Sequence, residues 1–146
     1  MTLTDFELEA LVGRRFRGGV STVEHWENWL LTDCTRREPM GDALLHPVSM
    51  FHLPIRAADT SIAEMFGVVG GDGSPGSVTL LGYDWEYVEP LYESVSYRGD
   101  GGVTAVERHR DDDGCVLHDD ITFAIELLSL DERPVARSTI RWRINA

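Results

Sequence analysis

From residue 77 to its end the chain reads as four long segments of alternating side-chain character, parted by short polar breaks, and this succession constrains the fold more than any other feature. SVTLLGYDWEYVEP, SVSYRGDGGVTAVERHR, CVLHDDITFAIELLSL and PVARSTIRWRIN follow the strand period of two. DDDG at 111–114 and DERP at 131–134 are turn-like, so neighbouring segments are expected to pair antiparallel as hairpins. In the last segment Val135, Arg137, Thr139, Arg141 and Arg143 share one face, and Ala136, Ser138, Ile140, Trp142 and Ile144 share the other. One covered and one wetter sheet face follow from that split.

The first half is built differently. Thr4 and Glu7 have the spacing of a capping box ahead of Leu8, Leu11 and Val12, which predicts a short opening helix. GRRFRGGVST is a strand or a connector, and Ser21 with Glu24 repeats the capping-box spacing. Val23, Trp26 and Leu30 recur at helical intervals, predicting an amphipathic helix over about 22–33 with its tryptophans as core filler. Pro39, Gly41, Pro47 and Pro54 make 35–59 a shaped, partly apolar connector without a long regular element. Asp59 or Thr60 is expected to cap a helix over 61–68 with Ile62, Met65 and Phe66 as its buried stripe, and GGDGSPGS then breaks the chain. Helices first and a strand meander after give an α+β class, and 146 residues suit one domain over 1–146.

The net charge of −12 argues against a nucleic-acid partner, since an acidic surface repels phosphate backbones. All 13 basic residues are arginine, with local basic points at Arg36–Arg37 and at Arg137, Arg141 and Arg143. No apolar run reaches the roughly 18 residues of a membrane span, and the N-terminus lacks a signal-peptide layout, so the expectation is a cytoplasmic protein without membrane contact. Cys34 and Cys115 lack zinc-site spacing and are expected as unpaired, buried or half-buried thiols. Asp111, Asp112 and Asp113 before a glycine read as a turn rather than a calcium loop. Glu107, His109 and His118 read as solvated strand residues, and no metal or cofactor is expected.

This order of parts resembles the hot-dog fold, an antiparallel sheet wrapped around a central helix, and within it the MaoC-like (R)-specific enoyl-thioester hydratases and dehydratases. Glu86, Tyr87, Pro90 and Leu91 match the family's aromatic-acidic strand and its Pro-Leu step, and GCVLHDDITFAIELLSLDERPVARSTIRW looks like its closing hairpin. The resemblance implies an acyl thioester of coenzyme A or acyl carrier protein as substrate. It also implies an Asp/His pair moving protons and a backbone N–H at the start of the central helix polarising the thioester carbonyl. The family's Asp-x-Asn-Pro-x-His motif is absent, so what the chain resembles is a divergent member.

The nearest catalytic candidates are Asp33 in LLTDCT, and Asp42 with His46 in GDALLH. An alternative alignment sets LLHPVSMF at the mouth of the central helix, with His46 a mouth residue and the catalytic loop shortened away. In it the polar atoms of ALLHPVSMFHLP line the thioester end of an acyl tunnel, with Ser49, Met50, Phe51 and His52 on the substrate. Two functions follow from the resemblance. One is a hydratase or dehydratase of 3-hydroxyacyl and 2-enoyl thioesters, with a thioesterase as its variant; the other is a catalytically silent subunit of a heteromeric dehydratase. Either implies a homodimer or a heterodimer with a related hot-dog chain.

Overall fold

The computed structural model describes residues 3–70 and 76–146. Its frame is one five-stranded antiparallel sheet in the order β1-β3-β4-β5-β2, made of Gly19–Thr22, Ser96–Arg110, Val116–Leu128, Pro134–Asn145 and Val78–Tyr87 respectively. Both expected hairpins form. β3 pairs with β4 across 111–115, and β4 pairs with β5 across 129–133. GRRFRGGVST resolves into a short strand, with Gly19–Thr22 pairing Gly99–Ser96. Residues 71–75 of GGDGSPGS lie outside the described residues.

Alternation decides which face is buried. Ile121, Phe123, Ile125 and Leu127 of β4 and Ala136, Ser138, Ile140 and Trp142 of β5 all turn inward and are buried. The side chains between them on β5, Arg137 and Arg141, remain exposed, as the segment's two faces predict. Each large apolar side chain so covered contributes roughly 1.5–3 kcal/mol.

What the sheet covers corrects the sequence expectation. The buried helical segment is 47–57, which forms a 3-10 helix Pro47–Phe51 followed by α3, Leu53–Ala57. Met50, Leu53, Ile55, Ala57 and Ala58 are all buried there. Pro47 and Pro54 each occupy one of the first two helical positions, where a missing N–H breaks no intrahelical bond. Two prolines seven residues apart therefore mark two helix starts and not a connector. Gly99 of β3 makes the contact possible, because a Cβ there would lie 2.3 Å from the Ala57 carbonyl carbon.

The other helices are peripheral. α1, Asp5–Glu9, carries the full capping box between Thr4 and Glu7. α4, Ile62–Val68, is capped by Ser61 rather than Asp59 or Thr60; Met65 is buried, Phe66 lies on Trp142, and Ile62 is exposed. α2, His25–Cys34, starts after Glu24 with no side-chain cap, so the Ser21 box does not form; Ser21 sits in β1. Its inward face is polar, with Asn28 and Thr32 buried, while Trp26 (62%) and Trp29 (53%) stay exposed. These two tryptophans are not core filler. Cys34 and Cys115 are free and, against expectation, exposed.

Candidate active site

The 3-10 helix begins at His46, which Pro47 holds in extended backbone at φ −61° and ψ 135°. From there the imidazole folds over the helix start, and its Nδ1 accepts the Val48 N–H at 3.1 Å. The His46 N–H donates to Asn28 Oδ1 at 2.9 Å. On the far side of the ring, Nε2 lies 3.3 Å from Thr35 Oγ1, whose own hydrogen goes to the Thr32 carbonyl at 2.7 Å. With that hydrogen committed, the Thr35 oxygen is left to accept, so Nε2 carries the proton and Nδ1 the lone pair. The lone pair is thus spent on a backbone amide.

The two proposed carboxylate partners stand apart from this ring. Asp42 is exposed in a turn where Gly41, Asp42 and Ala43 all have positive φ, and Asp33 is exposed in the last turn of α2. Among the described residues neither carboxylate forms a hydrogen bond or ion pair with His46. Residues 49–52 divide by helical position. Ser49 and Met50 turn into the core, whereas Phe51 stays partly exposed and stacks on Tyr83 with ring centroids 4.5 Å apart. His52 is half-buried at the junction with α3, and burial, aided by the nearby Arg56 charge, pushes its pKa down.

Sequence reasoning missed the network that holds this segment. Asn28 is buried and donates from Nδ2 to the Leu44 carbonyl at 2.9 Å and to Glu93 Oε2 at 2.8 Å. Glu93 Oε1 in turn lies 2.7 Å from His25 Nδ1. The Asn28 hydrogen bond, with His25 adding to it, holds the Glu93 carboxyl below the usual glutamate range. A carboxylate on Nδ1 fixes the imidazole tautomer and leaves Nε2 to exchange protons with solvent. The only local signal was an asparagine inside the otherwise apolar-acidic run HWENWLL.

No protein-family profile matches the sequence, and no curated protein matches it. The fold does have counterparts among solved structures. A truncated HadBC (3R-hydroxyacyl-ACP dehydratase) complex from Mycobacterium tuberculosis superposes with a TM-score of 0.68 at 10% identity, over 91% of this chain and 96% of that one. A hot-dog-like protein from Thermanaerovibrio acidaminovorans gives 0.61 at 13%, over 98% and 88%. The chain has the hot-dog fold. The (R)-hydratase PhaJ1 from Pseudomonas aeruginosa gives 0.58 at 13%, over 92% and 81%.

Beside the start of the enclosed hot-dog helix lies an apolar groove of about 430 Å³, bordered by Met40, Leu44, Leu45, Pro47, Tyr87 and Leu91. Further along the helix, three polar atoms are shielded from solvent without a hydrogen-bond partner: Ser49 Oγ, Trp85 Nε1 and Ser138 Oγ. Trp85 and Ser138 are direct cross-strand neighbours on β2 and β5. Burying such groups unpaired costs roughly 1–3 kcal/mol each, so they are points where a bound polar group would be welcome. The 3-10 helix itself offers little. Pro47 has no N–H, the Val48 N–H goes to His46 Nδ1, and the Ser49 N–H goes to the His46 carbonyl.

Proposed function

We propose that this chain is a hot-dog subunit for 3-hydroxyacyl and 2-enoyl thioesters, of the hydratase or dehydratase type, which shapes the acyl site while a related chain supplies the Asp/His pair. The observation that carries this reading is the His46 cap. It consumes at once the imidazole lone pair needed by a general base and the first amide that could polarise a thioester carbonyl. Asp33 and Asp42 are not positioned to restore the base. The groove at Pro47 supplies an apolar wall, as an acyl chain would need, and the unpartnered Ser49 and Ser138 hydroxyls are buried polar points beyond its lining. In this reading Met50 backs the site from the core and Phe51, stacked on Tyr83, flanks it from the outer side, with His52 at the following helix junction. The carrier would be coenzyme A or acyl carrier protein, and the setting cytoplasmic. Likeness in fold to a dehydratase complex and to an (R)-hydratase supports the substrate class.

The test is enoyl-thioester hydration with crotonyl-CoA and a longer enoyl-CoA. The purified chain alone should give no turnover, and co-expression with a hot-dog chain that carries the complete Asp/His motif should give turnover above that of the partner alone. Turnover by the lone chain that falls about 100-fold in His46→Ala would sink the proposal.

A second reading is favoured by the 2.7 Å His25–Glu93 contact. In it the chain is a self-sufficient hydratase, or a thioesterase, whose exposed Nε2 of His25 moves the proton. Turnover by the lone chain that is lost in His25→Ala and in Glu93→Gln, yet kept in His46→Ala, would select it.

A further inference from the structure

The outer face of the β3–β4 hairpin carries a cluster that the thioester reading does not use. In the register of these strands His109 lies opposite His118 and Glu107 lies opposite Asp120, which makes a two-by-two array of imidazoles and carboxylates. Arg108 and Asp119, one position along, point to the other face, where the Arg108 guanidinium grips both Asp119 oxygens at 2.7–2.8 Å. The outer array is thus set by strand alternation.

We propose that His109, His118 and Asp120 form a site for a divalent transition-metal ion of the zinc class. The two rings stack with centroids 4.4 Å apart, and the Nε2 atom of each is shielded from solvent without a hydrogen-bond partner. Asp120 Oδ2 lies 3.5 Å from His109 Nε2, and Oδ1 lies 3.9 Å from His118 Nε2. One ligand atom from each of the three falls within 4.8 Å of the others. A tetrahedral ion with bonds of about 2.0–2.2 Å holds its ligand atoms about 3.3–3.6 Å apart, so small side-chain movements close the set. A shared cation resolves the unpaired nitrogens.

The surroundings suit such an ion. Arg143 on β5 holds Asp120 through Nε–Oδ1 and Nη2–Oδ2 contacts of 2.8 Å, which orients the carboxylate and leaves each oxygen a further lone pair. Glu107, whose Oε1 is 3.6 Å from His109 Nε2, adds a second carboxylate at the edge of the three-residue set, from which it can reach an ion through water. Asn145, opposite His118 on β5, has its carboxamide nitrogen engaged with Gly76 and Thr79. Two imidazoles with one carboxylate select zinc, cobalt, nickel or copper over magnesium and calcium, which prefer all-oxygen shells. The acidic chain concentrates cations at its surface.

The metal-free chain would be titrated with Zn²⁺ by calorimetry and with Co²⁺ as a spectroscopic probe. One ion per chain is expected, with visible Co²⁺ absorption and a rise in thermal midpoint on adding Zn²⁺. His109→Ala, His118→Ala and Asp120→Asn should each weaken binding by about 10-fold or more, whereas His46→Ala should not. In the wild-type chain, which removes any concern over folding of variants, Co²⁺ should shift the ring resonances of His109 and His118. Absence of saturable binding at submillimolar metal, unchanged affinity in the His109→Ala/His118→Ala double variant, or shifts confined to His25, His46 and His52 would overturn the site.

Discussion

Asn28 and Glu93, 65 positions apart in sequence, are joined by a 2.8 Å hydrogen bond from the carboxamide nitrogen to the carboxylate. Because the same carboxamide also holds the Leu44 carbonyl and the His46 N–H, one buried side chain ties α2, the 41–46 turn and the β2–β3 connection together. Asn28→Leu should therefore leave a carbonyl, one carboxylate oxygen and an N–H unsatisfied at once. The expected cost is about 3 kcal/mol in urea denaturation, the size of a lost bond to a charged group plus neutral ones. A loss below about 0.5 kcal/mol would mean that water replaces all three bonds.

Glu93 and His52 should each make stability depend on pH, with opposite chemistry and the same sign. Glu93 has a folded pKa below its unfolded one, so its contribution is complete above the ordinary carboxylate range of about 4–5 and is lost as the pH falls through the folded value. His52 also has a depressed folded pKa. Below about pH 6.5 the unfolded chain takes up a proton that the folded ring resists, so stability again falls with pH. Urea midpoints measured from pH 7 to pH 3 should show both slopes, with His52→Gln removing the one nearer pH 6 and Glu93→Gln reducing the one nearer pH 4, to which Asp5, Glu7, Asp120 and Asp131 also contribute.

Gly99 is the position where strand β3 and helix α3 touch. A Cβ there would sit 2.3 Å from Ala57 C and 2.4 Å from Ala58 N, atoms of a backbone that has no rotamer to change. Gly99→Ala should cost about 3 kcal/mol, the upper range for overpacking. Gly67→Ala is the matched control, since its Cβ would meet nothing within 4 Å inside helix α4. There alanine should stabilise by about 0.5–1 kcal/mol. Calorimetric midpoints that move together for the two variants would refute this close-approach account.

What could be read in advance was what is local. The Thr4–Glu7 box, the two faces of β5 and the hairpins at 111–115 and 129–133 depend on residues within a few positions of each other, and all of them form. Pro47 and Pro54 misled because proline both breaks helices and starts them, and only the surrounding burial separates the two uses. Trp26, Trp29 and Leu30 do share helix α2, but periodicity reports which residues share a face and not what that face meets. The Asn28–Glu93 link and the His109–His118 array depend on tertiary approach and on strand register, which no short window of sequence contains.

Ser49 and Ser138 bear on ligand binding and stability in opposite directions. Each hydroxyl is buried without a partner, so its removal takes away a desolvation cost and no hydrogen bond. Ser49→Ala and Ser138→Ala should leave stability unchanged or raise it by up to about 1 kcal/mol. The same variants should reduce the thermal shift that an enoyl-CoA produces in the wild-type chain. A destabilisation of 2 kcal/mol or more, on the scale of a broken buried bond, would instead identify these hydroxyls as members of a structural network.

The order β1-β3-β4-β5-β2 leaves β2 as a ten-residue edge with Leu80 and Leu81 at 49% and 41% exposure. An edge this long, with unpaired backbone groups and apolar side chains, is covered or paired in most proteins because it otherwise recruits other strands. Pairing with the β2 edge of a second hot-dog chain would cover the backbone and Leu81 together, and would extend the wall that Tyr83, Trp85 and Tyr87 present toward the enclosed helix. Sedimentation equilibrium should accordingly find a dimer at micromolar concentration. Leu81→Lys, which sets a charge on that edge without entering the core, should weaken association by at least about 10-fold, or roughly 1.4 kcal/mol, while leaving the circular dichroism spectrum intact. A wild-type monomer, or a Leu81→Lys dimer of unchanged affinity, would move the interface elsewhere, and the exposed Trp26 and Trp29 face of α2 would be the next surface to vary.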